Sequence, residues 1–129
     1  MPKLSKTSLE RLSSCDPRLR NIAAAAIEHT DFIVLCGHRN EHDQNEAYDK
    51  GNSKLRWPKS MHNKYPSLAM DLAPWPIDWQ DIKRFRQMMD VVKQEADRLG
   101  IKLRFGWDWN GNGKPDDSFK DWPHVELVI

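Results

Sequence analysis

The alternation of apolar and polar positions divides the chain into short helices and short strands. Leu9 and Leu12 are spaced to touch a core from a short polar helix over 5–14. Asp16-Pro17 is a helix start, a capping carboxylate followed by a residue whose φ is already helical. Leu19, Ile22, Ala23, Ala26 and Ile27 then recur at helical spacing, which predicts an amphipathic helix over 17–29. His29 stands at its negative end, a favourable place for a cation. The run Phe32-Ile33-Val34-Leu35-Cys36 predicts a central strand, and 41–50 a helix closed by Gly51. Residues 51–67 are rich in Gly, Asn, Ser, Lys and Pro and read as a loop long enough to carry function.

Segment 68–73 alternates, predicting a strand with Ala69, Asp71 and Ala73 on one face. Pro74-Trp75-Pro76 is expected to break it. A long helix over 79–99 follows, with Asp78 as its cap and Asp81 in a capping-box-like position. Its core stripe is Ile82, Phe85, Met89, Val92, Ala96 and Leu99, and its methionines read as packing. Gly100 ends it, and strands over 102–105 and 125–129 complete the chain. The expected class is α+β: one domain over 1–129, a small, mainly antiparallel sheet flanked by helices.

Composition narrows the partners. Twenty basic against nineteen acidic residues leave a net charge of +1, which gives no reason to expect nucleic acid or an anionic membrane. An apolar fraction of 39% with six Trp implies a folded chain. No apolar run is long enough for a transmembrane helix, and no h-region follows the first residues. The expectation is a monomer made in the cytoplasm without a secretory signal. Cys15 and Cys36 lie in no paired metal-binding pattern and read as reduced thiols, with a disulfide between them left open.

The chemistry concentrates in two stretches, 60–71 and 121–129. His62, Asp71 and His124 are a sufficient donor set for a tetrahedral zinc with one open position. Asp121, three residues before His124, is left over to act as a base toward a metal-activated water. An Asp between two alanines on a strand also needs a partner charge or a metal, because an unpaired buried carboxylate is costly. Arg39, just past a strand end, is placed to stabilise an oxyanion, or equally to pair with a surface acid. Spacing alone leaves ordinary polar loop residues as an equal alternative.

The order Ser60-x-His62, Ala69-x-Asp71 and Asp121-x-x-His124 resembles the zinc D-Ala-D-Ala carboxypeptidase/L-alanyl-D-glutamate endopeptidase family, which has the hedgehog-type peptidase fold. Gly37-His38-Arg39 with Gln44-Asn45 and Tyr48 resembles the family's upstream segment as found in phage endolysins. The resemblance implies that His62, Asp71 and His124 hold zinc, that Asp121 is the catalytic acid/base and that Arg39 stabilises the transition state. Ser60 would orient the site, and the substrate would be the stem peptide of bacterial peptidoglycan. It further implies synthesis in a host cytoplasm and action on the wall after release. Two departures stand out. His62 and Asp71 are two residues further apart than in S-x-H-x-x-G-x-A-x-D, with Pro66-Ser67 where Gly is common, and the usual catalytic Glu is Asp. L-Ala-D-Glu is the leading bond and D-Ala-D-Ala the nearer alternative. A non-catalytic, zinc-stabilised module that binds wall peptides is the competing class.

A second metal is also legible. Asp108, Asn110, Asn112 and Gly113, with Asp116 at the ninth position, follow the first part of an EF-hand calcium loop. Phe119 stands at the closing position, where Asp117 would have to substitute. The alternatives are a polar turn held by its own Asn and Asp side chains, or a calcium-stabilised interaction domain.

Overall fold

The computed structural model describes residues 2–114 and 120–129. In chain order it contains α1 (Lys6–Leu12), α2 (Pro17–Ala26), β1 (Phe32–Cys36), α3 (Glu41–Asp49), a 3-10 turn (Met61–Asn63), β2 (Ala69–Pro74), α4 (Ile82–Arg98), β3 (Leu103–Phe105) and β4 (His124–Leu127). The sheet runs β1-β2-β4-β3 with every pairing antiparallel, in keeping with the expected small, mainly antiparallel sheet.

The helices begin where their caps stand. Ser5 accepts from the amide of Ser8, Asp16 from Arg18 and Asn40 from Asp43, so each satisfies an amide without a helical partner. In α1 the core-facing pair is Ser8 and Leu12, not Leu9, which is 54% exposed. Ser8 is buried because its hydroxyl accepts from the amide of Val34, tying the helix to β1.

Helix α4 starts later than its pattern predicts. Asp81 is the cap, accepting from Arg84, while Asp78 closes a separate turn at Gln80. Phe85, Met88, Met89, Val92 and Ala96 are buried, whereas Ile82 and Leu99 at the two ends are each 40% exposed. Pro74 is the last residue of β2, opposite Phe32, so the proline-rich stretch ends the strand as expected. A proline is tolerated at a strand's end because little of the ladder follows.

The main core lies between the sheet and helices α2 and α4, with Leu19, Ile22, Phe32, Leu72, Met88, Val92 and Leu127 essentially inaccessible. His29 sits past α2 with its Nε2 3.2 Å from Oε1 of Glu95 on α4. Both cysteines are free thiols. None of the described helices is long and apolar enough to cross a membrane.

Candidate metal centre and cleft

Strand pairing brings the distant residues together. Asp71 lies opposite His124 where β2 meets β4, and opposite Cys36 where β1 meets β2. His62 comes from the 3-10 turn, whose start Ser60 caps. The Ser60 hydroxyl accepts from the His62 amide, while Asn63 Oδ1 accepts from the Ser60 amide. Ser60 thus fixes the backbone that carries His62.

The last approach depends on Gly106. Its amide donates to the His124 carbonyl at 2.8 Å, and its carbonyl accepts from the Asp121 amide at 2.8 Å. A Cβ there would collide with the Asp121 carbonyl and with Cβ of His124. The turn from Asp121 to His124 therefore lies directly on a residue without a side chain.

Three donor atoms converge. His62 Nε2 is 3.1 Å from Asp71 Oδ1, His124 Nδ1 is 3.3 Å from the same oxygen, and the two nitrogens are 3.2 Å apart. The opposite ring nitrogens set the tautomers. His62 Nδ1 lies 2.7 Å from the Gly37 carbonyl, which can only accept, and His124 Nε2 lies 2.7 Å from Glu126 Oε1. Both outer nitrogens therefore carry protons. In the neutral rings the inner nitrogens then present lone pairs to each other and to a carboxylate oxygen. Three acceptors aimed at one point suit a cation, and the outer hydrogen bonds are the usual means of orienting imidazole ligands. The donor set fits a divalent metal.

Without a metal, the same groups hold protons. Burial opposes the His62 imidazolium, but the charge and hydrogen bond of Asp71 prevail and hold the ring up to about 10. His124 is likewise raised against burial, by Asp71 and Glu126. Burial pushes the Asp71 carboxyl up, yet the two imidazoles hold it well below the carboxylate range. Ligation requires neutral rings, so a metal entering this pocket would displace those protons. Asp121 differs: burial first, then the Asp71 charge, push it up to about 6.

Arg39 reaches the same carboxylate from outside. Its Nη2 is 3.2 Å from Asp71 Oδ2, and its Nη1 donates at 3.0 Å to Oε1 of the fully buried Gln44. Asn63 donates to the same Gln44 oxygen and to the Arg39 carbonyl, so Ser60, Asn63, Gln44 and Arg39 form one network. Arg39 and Ser60 border a cleft of about 450 Å³ whose lining also includes Lys54, Lys59, His62, Arg104, Asp121, His124 and Glu126.

Three features escaped the sequence reading. Glu126 is buried between His124 and Arg104, whose Nη2 lies 2.7 Å from its Oε2; a charged residue in a terminal apolar strand was the available signal. Gln44, a motif residue in the sequence, proves to be the acceptor that holds Arg39 and Asn63. Cys36 forms with His62 and Asp71 a set whose ligand atoms lie within 4.8 Å of one another, as do Asp71, Asp121 and His124. Burial pushes the Cys36 thiol up, but its hydrogen bond to His62 and that ring's charge outweigh it and leave it lowered.

In the second predicted loop, Asp108 is buried, and its Oδ2 accepts from the Gly113 amide at 2.9 Å. Asn110 and Asn112 cap local turns by accepting from the amides of Asn112 and Lys114. Asp116 and Asp117 lie outside the described residues.

The chain resembles known proteins along nearly its whole length. A family model described as phage L-alanyl-D-glutamate peptidase matches residues 1–128. The L-alanyl-D-glutamate peptidase of Escherichia phage T5 is 37% identical over 136 aligned positions, covering 98% of both chains. The crystal structure of the L-Ala D-Glu endopeptidase ChiX of Serratia marcescens superposes with a TM-score of 0.78 at 25% identity, covering 97% of this chain and 89% of that one. With the fold, the converging donors and a match of this extent in hand, the chain belongs to the phage L-alanyl-D-glutamate peptidase family.

Proposed function

We propose that this protein is a zinc-dependent peptidase that hydrolyses the L-Ala–D-Glu bond in the stem peptide of peptidoglycan, as a monomeric endolysin of one domain. The observation that carries this reading is the convergence of His62 Nε2, His124 Nδ1 and Asp71 Oδ1 beside a buried Asp121. His62, Asp71 and His124 would hold the metal, which when bound supplies Lewis acidity and makes water a better nucleophile near neutral pH.

The chain's own residues do the rest. Asp121 takes a proton from the attacking water as its oxygen joins the carbonyl carbon. When the C–N bond breaks, Asp121 returns that proton to the departing amine. The products are a free L-alanine carboxylate and a free D-glutamate amine. Arg39 faces the carbonyl oxygen as it gains charge, and Gln44 holds the guanidinium in place. In Arg39→Ala, kcat falls by about 10²–10³, the usual effect of losing one such donor.

Mass analysis of purified muropeptides after digestion tests the assignment. Fragments carrying a new amino-terminal D-Glu are expected. Release of D-alanine alone would instead identify a D-Ala-D-Ala carboxypeptidase, and intact muropeptides would favour a wall-binding module.

A second cation reading has its own observation. Asp108 Oδ1 is buried with no hydrogen-bond partner among the described residues. An unsatisfied buried polar atom costs about 1–3 kcal/mol, which a calcium ion at that loop would offset. Calcium added to the metal-loaded enzyme should raise its melting temperature, and Asp108→Asn should abolish the rise. Equal melting with and without calcium would exclude it.

A further inference from the structure

A second cleft meets the first at the catalytic centre, and its chemistry is different. It measures about 360 Å³, shares Arg39, Asn52 and Asp121 with the cationic cleft, and is lined by Asp71 as well. Its walls are mixed: Leu35, Trp79, Ile82 and Trp122 stand beside Asn52, Lys120 and the shared charged groups. Trp79 precedes α4 and stacks on Phe85 with ring centroids 5.5 Å apart and planes inclined by 24°. Phe85 is 1% exposed, so it gives the indole a rigid backing, yet Trp79 itself remains 54% exposed. The result is a flat aromatic surface, supported on one face and open on the other, beside the reacting groups.

Resting on the peptidase reading, we infer that this tryptophan-lined arm binds the amino sugar of the glycan strand, with Trp79 as its stacking platform, and that the more cationic arm takes the D-glutamate side. The substrate's own chemistry supplies the direction. L-Alanine is joined to the sugar through a lactyl group, so only one residue separates the scissile carbonyl from the glycan. At about 3.3–3.6 Å per residue, the sugar's attachment lies about one residue from the reacting groups, within reach of a cleft lined by Arg39, Asp71 and Asp121. On the other side of the bond, D-glutamate continues through its γ-carboxyl and leaves its α-carboxylate free. The first cleft adds Lys54, Lys59 and Arg104 to the shared Arg39, whereas the second adds Lys120 and is also lined by Asp71, so the free carboxylate is placed in the first. Indole is the side chain best suited to the C–H face of a pyranose, large, rigid and amphipathic.

The test compares two substrates that differ only in the sugar: a disaccharide–tetrapeptide, and the same tetrapeptide freed of its disaccharide. Metal-loaded wild-type enzyme should show a kcat/KM about tenfold or more higher for the sugar-bearing substrate. Trp79→Ala should bring that ratio to within about twofold of one, chiefly through KM, and Trp79→Phe should restore part of it. Ile82→Ser, at a half-exposed position in the same wall, should lower the ratio in the same direction and serves if Trp79→Ala does not fold. A wild-type ratio near one, or a sugar preference that survives in folded Trp79→Ala and Ile82→Ser, would overturn the subsite while leaving the peptidase intact. Cleavage of neither substrate by the wild type would remove the peptidase reading and the subsite together.

Discussion

At the scale of single residues the account rests on roles that separate under substitution. Asp121 lies beside the donor atoms without being needed to complete them, so Asp121→Asn should keep one bound metal per chain. Its hydrolysis should fall by about 10²–10⁴, the usual contribution of general acid–base catalysis. Metal analysis and initial rates on one preparation check both halves, and a variant that lost metal and activity together would make Asp121 a ligand. Glu126 makes the complementary case. It fixes the His124 tautomer from 2.7 Å, so Glu126→Ala should weaken metal binding by about 10–100-fold, read by competition with a chelator of known affinity. Unchanged affinity would show that His124 is oriented without it. The sequence made the inner residues legible because imidazoles and carboxylates beside strand runs are chemically conspicuous. Glu126 and Gln44 were not legible in these roles. Their importance comes from which atom of a ligand or of Arg39 they touch, and nothing in their spacing encodes that contact.

At the scale of elements, the site depends on turns lying close to strands. Gly106→Ala would drive a methyl group into the Asp121 carbonyl. Overpacking of this kind costs about 1–3 kcal/mol, and the shift should displace His124, lowering both the melting temperature and metal affinity. Full metal affinity in that variant would refute the close-packing argument. The corner between α1 and α2 carries a pH signature. Cys15 is 1% exposed, and burial, followed by the nearby Cys36, pushes its thiol from 9.0 up to about 12. Above pH 9 the unfolded thiol ionises while the folded one does not, so stability falls as pH rises toward 12. The slope from this group is at most about 1.4 kcal/mol per pH unit. Urea midpoints at pH 8 and 10.5 should therefore converge in Cys15→Ala relative to wild type; parallel shifts would contradict it. Helix and strand identities were legible from periodicity, whereas the start of α4 was not. Asp78 and Asp81 are both good caps by type, and only the geometry of the turn at Gln80 decides between them.

At the scale of the whole molecule, the metal is expected to be part of the fold's stability as well as its chemistry. Its donors come from the 3-10 turn, β2 and β4, so one ion would cross-link segments distant in sequence. Ligand binding to the folded state alone adds about 4 kcal/mol at a thousandfold excess over Kd. Chelation should accordingly lower the melting temperature, reversibly on return of zinc. Sheet order was foreseeable only in part, since adjacency of β2 and β4 is a property of long-range pairing. The site could be proposed because the order of its motifs resembles a known peptidase family, while spacing alone left polar loop residues as an equal alternative. The most direct measurement is anomalous diffraction at the zinc edge from crystals of the zinc-loaded protein. One peak about 2.0–2.2 Å from His62 Nε2, His124 Nδ1 and an Asp71 carboxylate oxygen is predicted. No peak between those atoms, or one bound elsewhere on the chain, would contradict the account.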